Sequence, residues 1–170
     1  MATQSIEELI AEVRSEFDRV YLGGIPGLLT DDGAFLSFVA VITGTEALAG
    51  YFAPRLSNGE RFRQFVAQYY PVNLRDQAAK LWQLRNAIVH AFHPGPFALT
   101  HHNSRFHLTT TPAGQPVLNA EDFYAALVVA ASSYFTALTT EQDLRGKFLE
   151  RMSDPSGGAL HVAAVSGPTE

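Results

Sequence analysis

The chain has no cysteine. That excludes disulfides and thiolate metal sites and fits a cytosolic protein. It also has no Gly-rich phosphate loop, no nucleophile elbow and no internal repeat. Neither a phosphate-cradling turn nor a serine-hydrolase site is therefore expected. The first 20 residues carry Glu7, Glu8, Glu12 and Glu16 and lack an apolar run flanked by basic residues, which is not the pattern of a signal peptide. No acidic residue stands between positions 77 and 120. Excess positive charge is missing too. The net charge is −5, which argues against non-specific nucleic-acid binding.

Apolar residues are plentiful. They make up 46% of the 170 residues and include 12 Phe, enough for one domain with a sizeable core. The most apolar stretch, Ala34 to Ala53, is about long enough to cross a bilayer. It is interrupted by Gly44, Glu46, Gly50 and two Thr and has no basic flank before it, so we read it as a buried bundle helix.

Periodicity outlines an all-α fold of four to five helices over residues 1–152, followed by a disordered tail over 153–170. A first helix from Ser5 to Tyr21 has Ile6, Leu9, Ile10, Val13, Phe17, Val20 and Tyr21 on one stripe, opened by a Ser5–Glu8 capping box. A second, apolar nearly all round, spans Asp31 to Phe52, with Gly44 as a possible bend. A third opens at Ser57 and Glu60, buries Phe62, Phe65, Val66 and Tyr69, and stops at Pro71. Asn73 is the expected cap of a fourth, with Asp76 in its first turn. After Pro94-Gly95-Pro96 the helical period is lost. Phe97–Thr100 and Phe106–Thr109 read as strands of a small inserted β-hairpin, with a turn at Ala113-Gly114-Gln115. Asn119 then caps a final long helix through Phe135 and on towards Met152.

The charge is uneven. Residues 1–54 hold 2 basic and 8 acidic side chains. Residues 55–85 hold Arg55, Arg61, Arg63, Arg75, Lys80 and Arg85 against Glu60 and Asp76. This basic segment leads into Arg85-Asn86-Ala87-Ile88-Val89-His90, late in the fourth helix. Arg offers a bidentate fork to a phosphate, and His exchanges a proton near neutral pH. Together they could break a phosphodiester without a metal. With 10 Arg and 6 His, an Arg followed four to six residues later by His is expected about once by chance. Requiring Asn after the Arg lowers that to roughly 0.03. The apolar face of this helix is read as Leu74, Ala78, Leu81, Trp82, Ile88, Val89 and Phe92, which puts Arg85 at its centre. Such an Arg must snorkel, meet a carboxylate, or line an interface or cleft. On an ideal wheel Arg85 and His90 lie about 140° apart. Arg85's long arm, unwinding before Pro94, or a two-fold dimer must bring them together.

Arg-Asn-(x)3-His, late in a long helix of an all-helical domain, resembles the prokaryotic branch of the HEPN superfamily (higher eukaryotes and prokaryotes nucleotide-binding). Gly59–Phe65 and Tyr69-Tyr70-Pro71 resemble it loosely as well. The resemblance implies a metal-independent endoribonuclease, active as a homodimer on RNA. Arg85, Asn86 and His90 would be its catalytic residues, with no cofactor and no membrane. HEPN toxins paired with a minimal nucleotidyltransferase carry a Tyr, modified by that antitoxin partner, two residues after the His. This chain has Phe92 there, so the resemblance gives no support to that partner. The alternative is a non-catalytic dimeric module that binds a nucleotide or a partner protein.

Three plainer readings stand beside it. Arg85 could be a structural ion pair with Glu46 of the second helix. His90 could be a helix-end His favoured by the macrodipole. The cluster His90, His93, His101, His102 and His107 could hold a metal, although with no nearby acid in sequence the site would be all-His. His101 and His102, adjacent on a strand, would face opposite sides.

Overall fold

The structure, a computed structural model, describes residues 5–154. The tail expected from residue 153 lies outside the described residues, apart from Ser153, which closes the last helix, and Asp154. The protein is an all-α bundle carrying a small two-stranded insert. The described residues form seven helices, α1 (Ile6–Phe17), α2 (Ala34–Phe52), α3 (Asn58–Tyr69), α4 (Val72–Arg75), α5 (Ala78–Ala91), α6 (Ala120–Thr140) and α7 (Gln142–Ser153), with strands β1 (Ala98–Thr100) and β2 (Val117–Asn119) between α5 and α6.

The reciprocal Ser5–Glu8 capping box opens α1, which buries Ile10, Val13 and Phe17. A π-helical turn over Asp18–Leu22 prolongs it. The central element is α2, which packs against α3, α6 and α7. Gly44 serves this packing: a Cβ there would come within 2.9 Å of the Tyr21 ring. Both α2 and α6 are long and apolar enough to cross a membrane by length and composition. Each packs into the bundle along one side: α2 buries Phe38, Val41, Ile42, Leu48 and Ala49, and α6 buries Phe123, Leu127, Tyr134 and Phe135. At the centre, the Thr45 and Tyr70 hydroxyls share a fully buried 2.6 Å hydrogen bond. Burial pushes the Tyr70 phenol up, which keeps it neutral.

Four local expectations need correction. Asn73 does not cap the motif helix: it lies inside the one-turn α4, and α5 begins after Gln77. The chain turns at Asp76–Gln77, so the helical pattern that looks continuous from Leu74 is in fact two helices. The final helix is also two. Thr139 and Thr140 hydrogen-bond back to the carbonyls of Thr136 and Ala137, which competes with helix continuation. Glu141 is then extended, and α7 starts afresh.

The insert is not a hairpin of the two expected segments. β1 pairs in parallel with β2, with Leu99 opposite Leu118. Residues 104–106 form a 3-10 turn. Leu108 and Thr109 exchange backbone hydrogen bonds with Val117 instead, at 2.7 and 2.8 Å. Left-handed His102 redirects the chain after β1. Asn103 is then held by the Asn119 side chain at 3.1 Å, which carries the next segment to the other edge of β2. The turn at Ala113–Gln115 forms as expected, with Gly114 at φ +80°. Asn119 does precede α6, but its fully buried side chain makes no cap bond. It binds Asn103, Ser104 and Asp122 and so ties the insert to the bundle.

Candidate functional site

The three residues singled out on α5 come together. Nη1 of Arg85 lies 3.4 Å from Asn86 Oδ1 and 3.4 Å from His90 Nε2. The helix stays regular to Ala91. The convergence therefore comes from the length of the arginine arm, not from unwinding.

Arg85 has a partner within its own chain. Its Nε and Nη2 donate to the two oxygens of Glu46 on α2, both at 3.0 Å, with the two side chains each 18% exposed. This is the ion pair that stood as the structural alternative. The expected apolar face also needs rotating. The buried residues of α5 are Ala78, Leu81, Leu84 and Ile88, whereas Val89 and Phe92 are exposed. Arg85 thus lies at the margin of the stripe. Its position does not by itself demand a second subunit, because Glu46 already neutralises it.

The pair holds the guanidinium by one edge. Two of its five donors go to Glu46, and the Nη1 end faces Asn86 and the exposed His90. The indole of Trp82 supports it from the side, with the guanidinium carbon 5.2 Å from the ring. That ring fits because α3 presents a glycine to it. A Cβ on Gly59 would meet the Trp82 ring at 2.8–3.0 Å.

The end of α5 sets the position of His90. Phe92 takes the left-handed region at φ +50°, and the His93 N–H returns to the Ala87 carbonyl at 3.2 Å. A left-handed residue just past the last turn is how many helices close, although the position usually falls to Gly or Asn. Gly95 follows at φ +59°, and a Cβ there would come within 3.2 Å of the Leu84 Cα. The bulky Phe92 is 77% exposed and packs on Phe35 of α2 with ring centroids 4.4 Å apart.

Glu46 also acts on one further cation, Arg61. The Arg61 guanidinium on α3 is shifted down by burial first and by Arg151 second, with Glu46 opposing. Its Nε is buried without a hydrogen-bond partner. Arg61 belongs to the basic run from Arg55 to Arg85. Not all of that run is available, since Arg55 pairs with Glu150 and Arg75 donates to the Tyr70 carbonyl.

The histidine cluster divides. His93 Nδ1 accepts the Gly95 N–H, and His107 Nδ1 accepts the Asn119 N–H at 3.2 Å. Burial holds His107 below the usual histidine value, with Asp122 opposing. His101 and His102 stand together, contrary to the expectation that they face apart, with ring centroids 4.8 Å apart. The all-His expectation also fails, because the fold brings Asp31 and Glu121 to them. No local sequence signal links Asp31 or Glu121 to this pair. They could be found only by knowing where the insert packs.

The chain matches no family model, no curated protein and no solved structure.

Proposed function

We infer that the chain is a HEPN-like metal-independent endoribonuclease in which Arg85, Asn86 and His90 act on a phosphodiester. The observation that supports this reading most is the meeting of Arg85 Nη1 with His90 Nε2 at 3.4 Å. It places a permanent cation and a proton-exchanging group on one patch, in a chain where their helical spacing would hold them apart. Arginine always donates, so the nitrogen facing it is the unprotonated one. When the phosphate takes over the Nη1 donors, that lone pair is released to accept the proton of a ribose 2′-OH. The Nη1 end of Arg85 binds the phosphate and stabilises charge as it builds in the transition state. Asn86 orients the guanidinium. Attack by the 2′-oxygen on phosphorus expels the 5′-oxygen, which takes a proton from water, and leaves a 2′,3′-cyclic phosphate.

Glu46 has a defined part in this scheme. A guanidinium held along one edge presents the other with little freedom left to lose on binding. The exposed apolar surface of Phe92 and Val89, beside His90, suits a second copy of the chain. A homodimer in the cytoplasm belongs to this reading, with Arg85 and His90 of both copies near one cleft. Phe92 offers no hydroxyl for a nucleotidyltransferase-type antitoxin to modify.

One observation favours the rival reading, a non-catalytic module binding a nucleotide or a protein. The Glu46 pair accounts for Arg85 without any ligand. The two readings part in a simple assay. Untagged protein is incubated with a random-sequence RNA pool in EDTA. Fragmentation by the wild type that is lost in His90→Ala supports the enzyme. RNA or nucleotide binding without fragmentation supports the module.

A further inference from the structure

A second polar cluster lies beyond the Pro94–Pro96 break, and the proposed reaction does not use it. One ring nitrogen from each of His101 and His102 and one carboxylate oxygen of Asp31 lie within 4.8 Å of one another. Asp31 comes from the loop before α2 and the histidines from the end of β1. Neighbours on a strand point to opposite faces. Here β1 stops at Thr100 and His102 takes φ +53°, so both rings turn to one side. His101 Nε2 is 3.5 Å from Asp31 Oδ1. Glu121, in the first turn of α6, stands behind His102. Its Oε2 accepts the His102 backbone N–H at 3.0 Å, and its Oε1 lies 2.8 Å from ring Nδ1.

Two observations separate this cluster from an ordinary hydrogen-bonded loop. First, His101 Nδ1 and Glu121 Oε1 are buried and have no hydrogen-bond partner. Glu121 Oε1 has no aligned donor although His102 Nδ1 lies 2.8 Å away. Buried polar atoms are rarely left so. Second, the donors have a recognisable chemistry. Two imidazole nitrogens with a carboxylate oxygen are a ligand set for first-row divalent ions. A carboxylate behind a ligating histidine fixes its ring and raises its basicity.

We propose that Asp31, His101 and His102 bind a divalent transition-metal ion, zinc in the first instance, with Glu121 positioning His102. Water completes the coordination. Zinc bonds of about 2.0–2.2 Å set tetrahedral ligand atoms roughly 3.3 Å apart, so the cluster tightens as it binds. Asp31, whose side chain is 92% exposed, is the ligand that moves, while His101, at 28%, is already seated. The bound ion joins the loop before α2 to the end of β1 and, through Glu121, to α6. Its effect is to fasten the insert to the bundle. It is independent of the Arg85 site, so the RNase reading can fail while this one holds, and the reverse.

The test uses the untagged full-length chain, stripped with chelator and titrated with zinc chloride by calorimetry, with Co2+ absorption as an optical probe. One equivalent should bind and the melting temperature should rise. His101→Ala and His102→Ala should each weaken binding at least about tenfold and abolish the rise. His93→Ala should bind like the wild type. Asp31→Asn, at an exposed loop position, keeps the test decisive if a histidine variant does not fold, and it should also weaken binding about tenfold. The proposal is overturned if Zn2+, Co2+, Ni2+ and Mn2+ show no saturable binding at micromolar concentration. It is equally overturned if one equivalent still binds undiminished in both His102→Ala and Asp31→Asn, which would put the ion elsewhere.

Discussion

The end of α5 and the end of β1 each bring histidine together with charge, but they are assembled in opposite ways. Arg85, Asn86 and His90 are neighbours in sequence, and only Glu46 is recruited from another helix. His101 and His102 are joined by Asp31, seventy positions earlier, and Glu121, nineteen positions later. Local spacing reveals the first kind of cluster. Only the packed fold reveals the second. The two also differ electrostatically. At α5 one carboxylate holds one edge of a guanidinium and leaves its Nη1 end toward Asn86 and His90, which suits an anion. At β1 two carboxylates flank two neutral-capable imidazoles, which suits a cation.

If this contrast is right, mutations should separate the two clusters. His90→Ala should reduce RNA cleavage by about 10²- to 10⁴-fold, the range for a lost general acid or base. Because His90 is exposed, stability should stay within about 0.5 kcal/mol and zinc binding should not change. His102→Ala should do the converse and leave cleavage intact. Cleavage rates and zinc titrations on both variants check this. Parallel losses in either variant would mean that the clusters are one site.

Gly59→Ala reaches the α5 site from a distance. The added methyl would overlap the Trp82 ring at 2.8–3.0 Å and push it toward Arg85. Overpacking of this kind costs about 1–3 kcal/mol. Displacing a phosphate-binding group should slow cleavage about tenfold to a hundredfold. Denaturant melts and initial rates measure both effects. Zinc affinity should not follow.

The Glu46–Arg85 pair is tested by a double-mutant cycle with Glu46→Gln and Arg85→Met. Each single change breaks two charged hydrogen bonds at sites that are 18% exposed. The loss should be about 1–3 kcal/mol, below the figure for a fully buried pair. The double variant should recover part of it. A coupling near zero in urea melts would make the pair a surface contact and weaken its role in presenting the guanidinium.

The smallest effect is expected at His107. Burial holds its folded pKa below the ordinary histidine value of about 6.5. Above that pH both folded and unfolded forms are neutral. As pH falls below it, the unfolded chain binds the proton first, and stability declines until the folded pKa is passed. Protonation also removes the lone pair that accepts the Asn119 N–H. Between pH 7 and 5 the wild type should lose less than about 1 kcal/mol more than His107→Gln, since the ring is only partly shielded from solvent.

How much of this was legible in the sequence follows the same line. The helices with clean stripes and caps, α1 and α3, read directly, and so did the apolar α2. The split between α4 and α5, the break at Glu141 and the parallel pairing of β1 were not readable. Each depends on one or two backbone angles that the hydrophobic pattern does not record. The α5 face was misread because Val89 and Phe92 count as apolar wherever they point. Both are exposed, and Leu84 takes the buried place. The alternative pairing of Arg85 with Glu46 was legible, since a buried helix with one acid leaves few choices. The partners of His101 and His102 were not, because nothing in the segment 77–120 could supply them.

In the proposed reaction Arg85 and His90 converge on one phosphodiester without a metal. The most direct measurement is the chemistry of the product ends from an end-labelled RNA cleaved in EDTA, beside a copy carrying a single 2′-deoxynucleotide at the cut position. The products should carry a 2′,3′-cyclic phosphate and a 5′-hydroxyl, with no cut at the deoxy position. Cleavage of the deoxy-substituted strand, 5′-phosphate products, or activity that appears only when zinc or manganese is restored would contradict it.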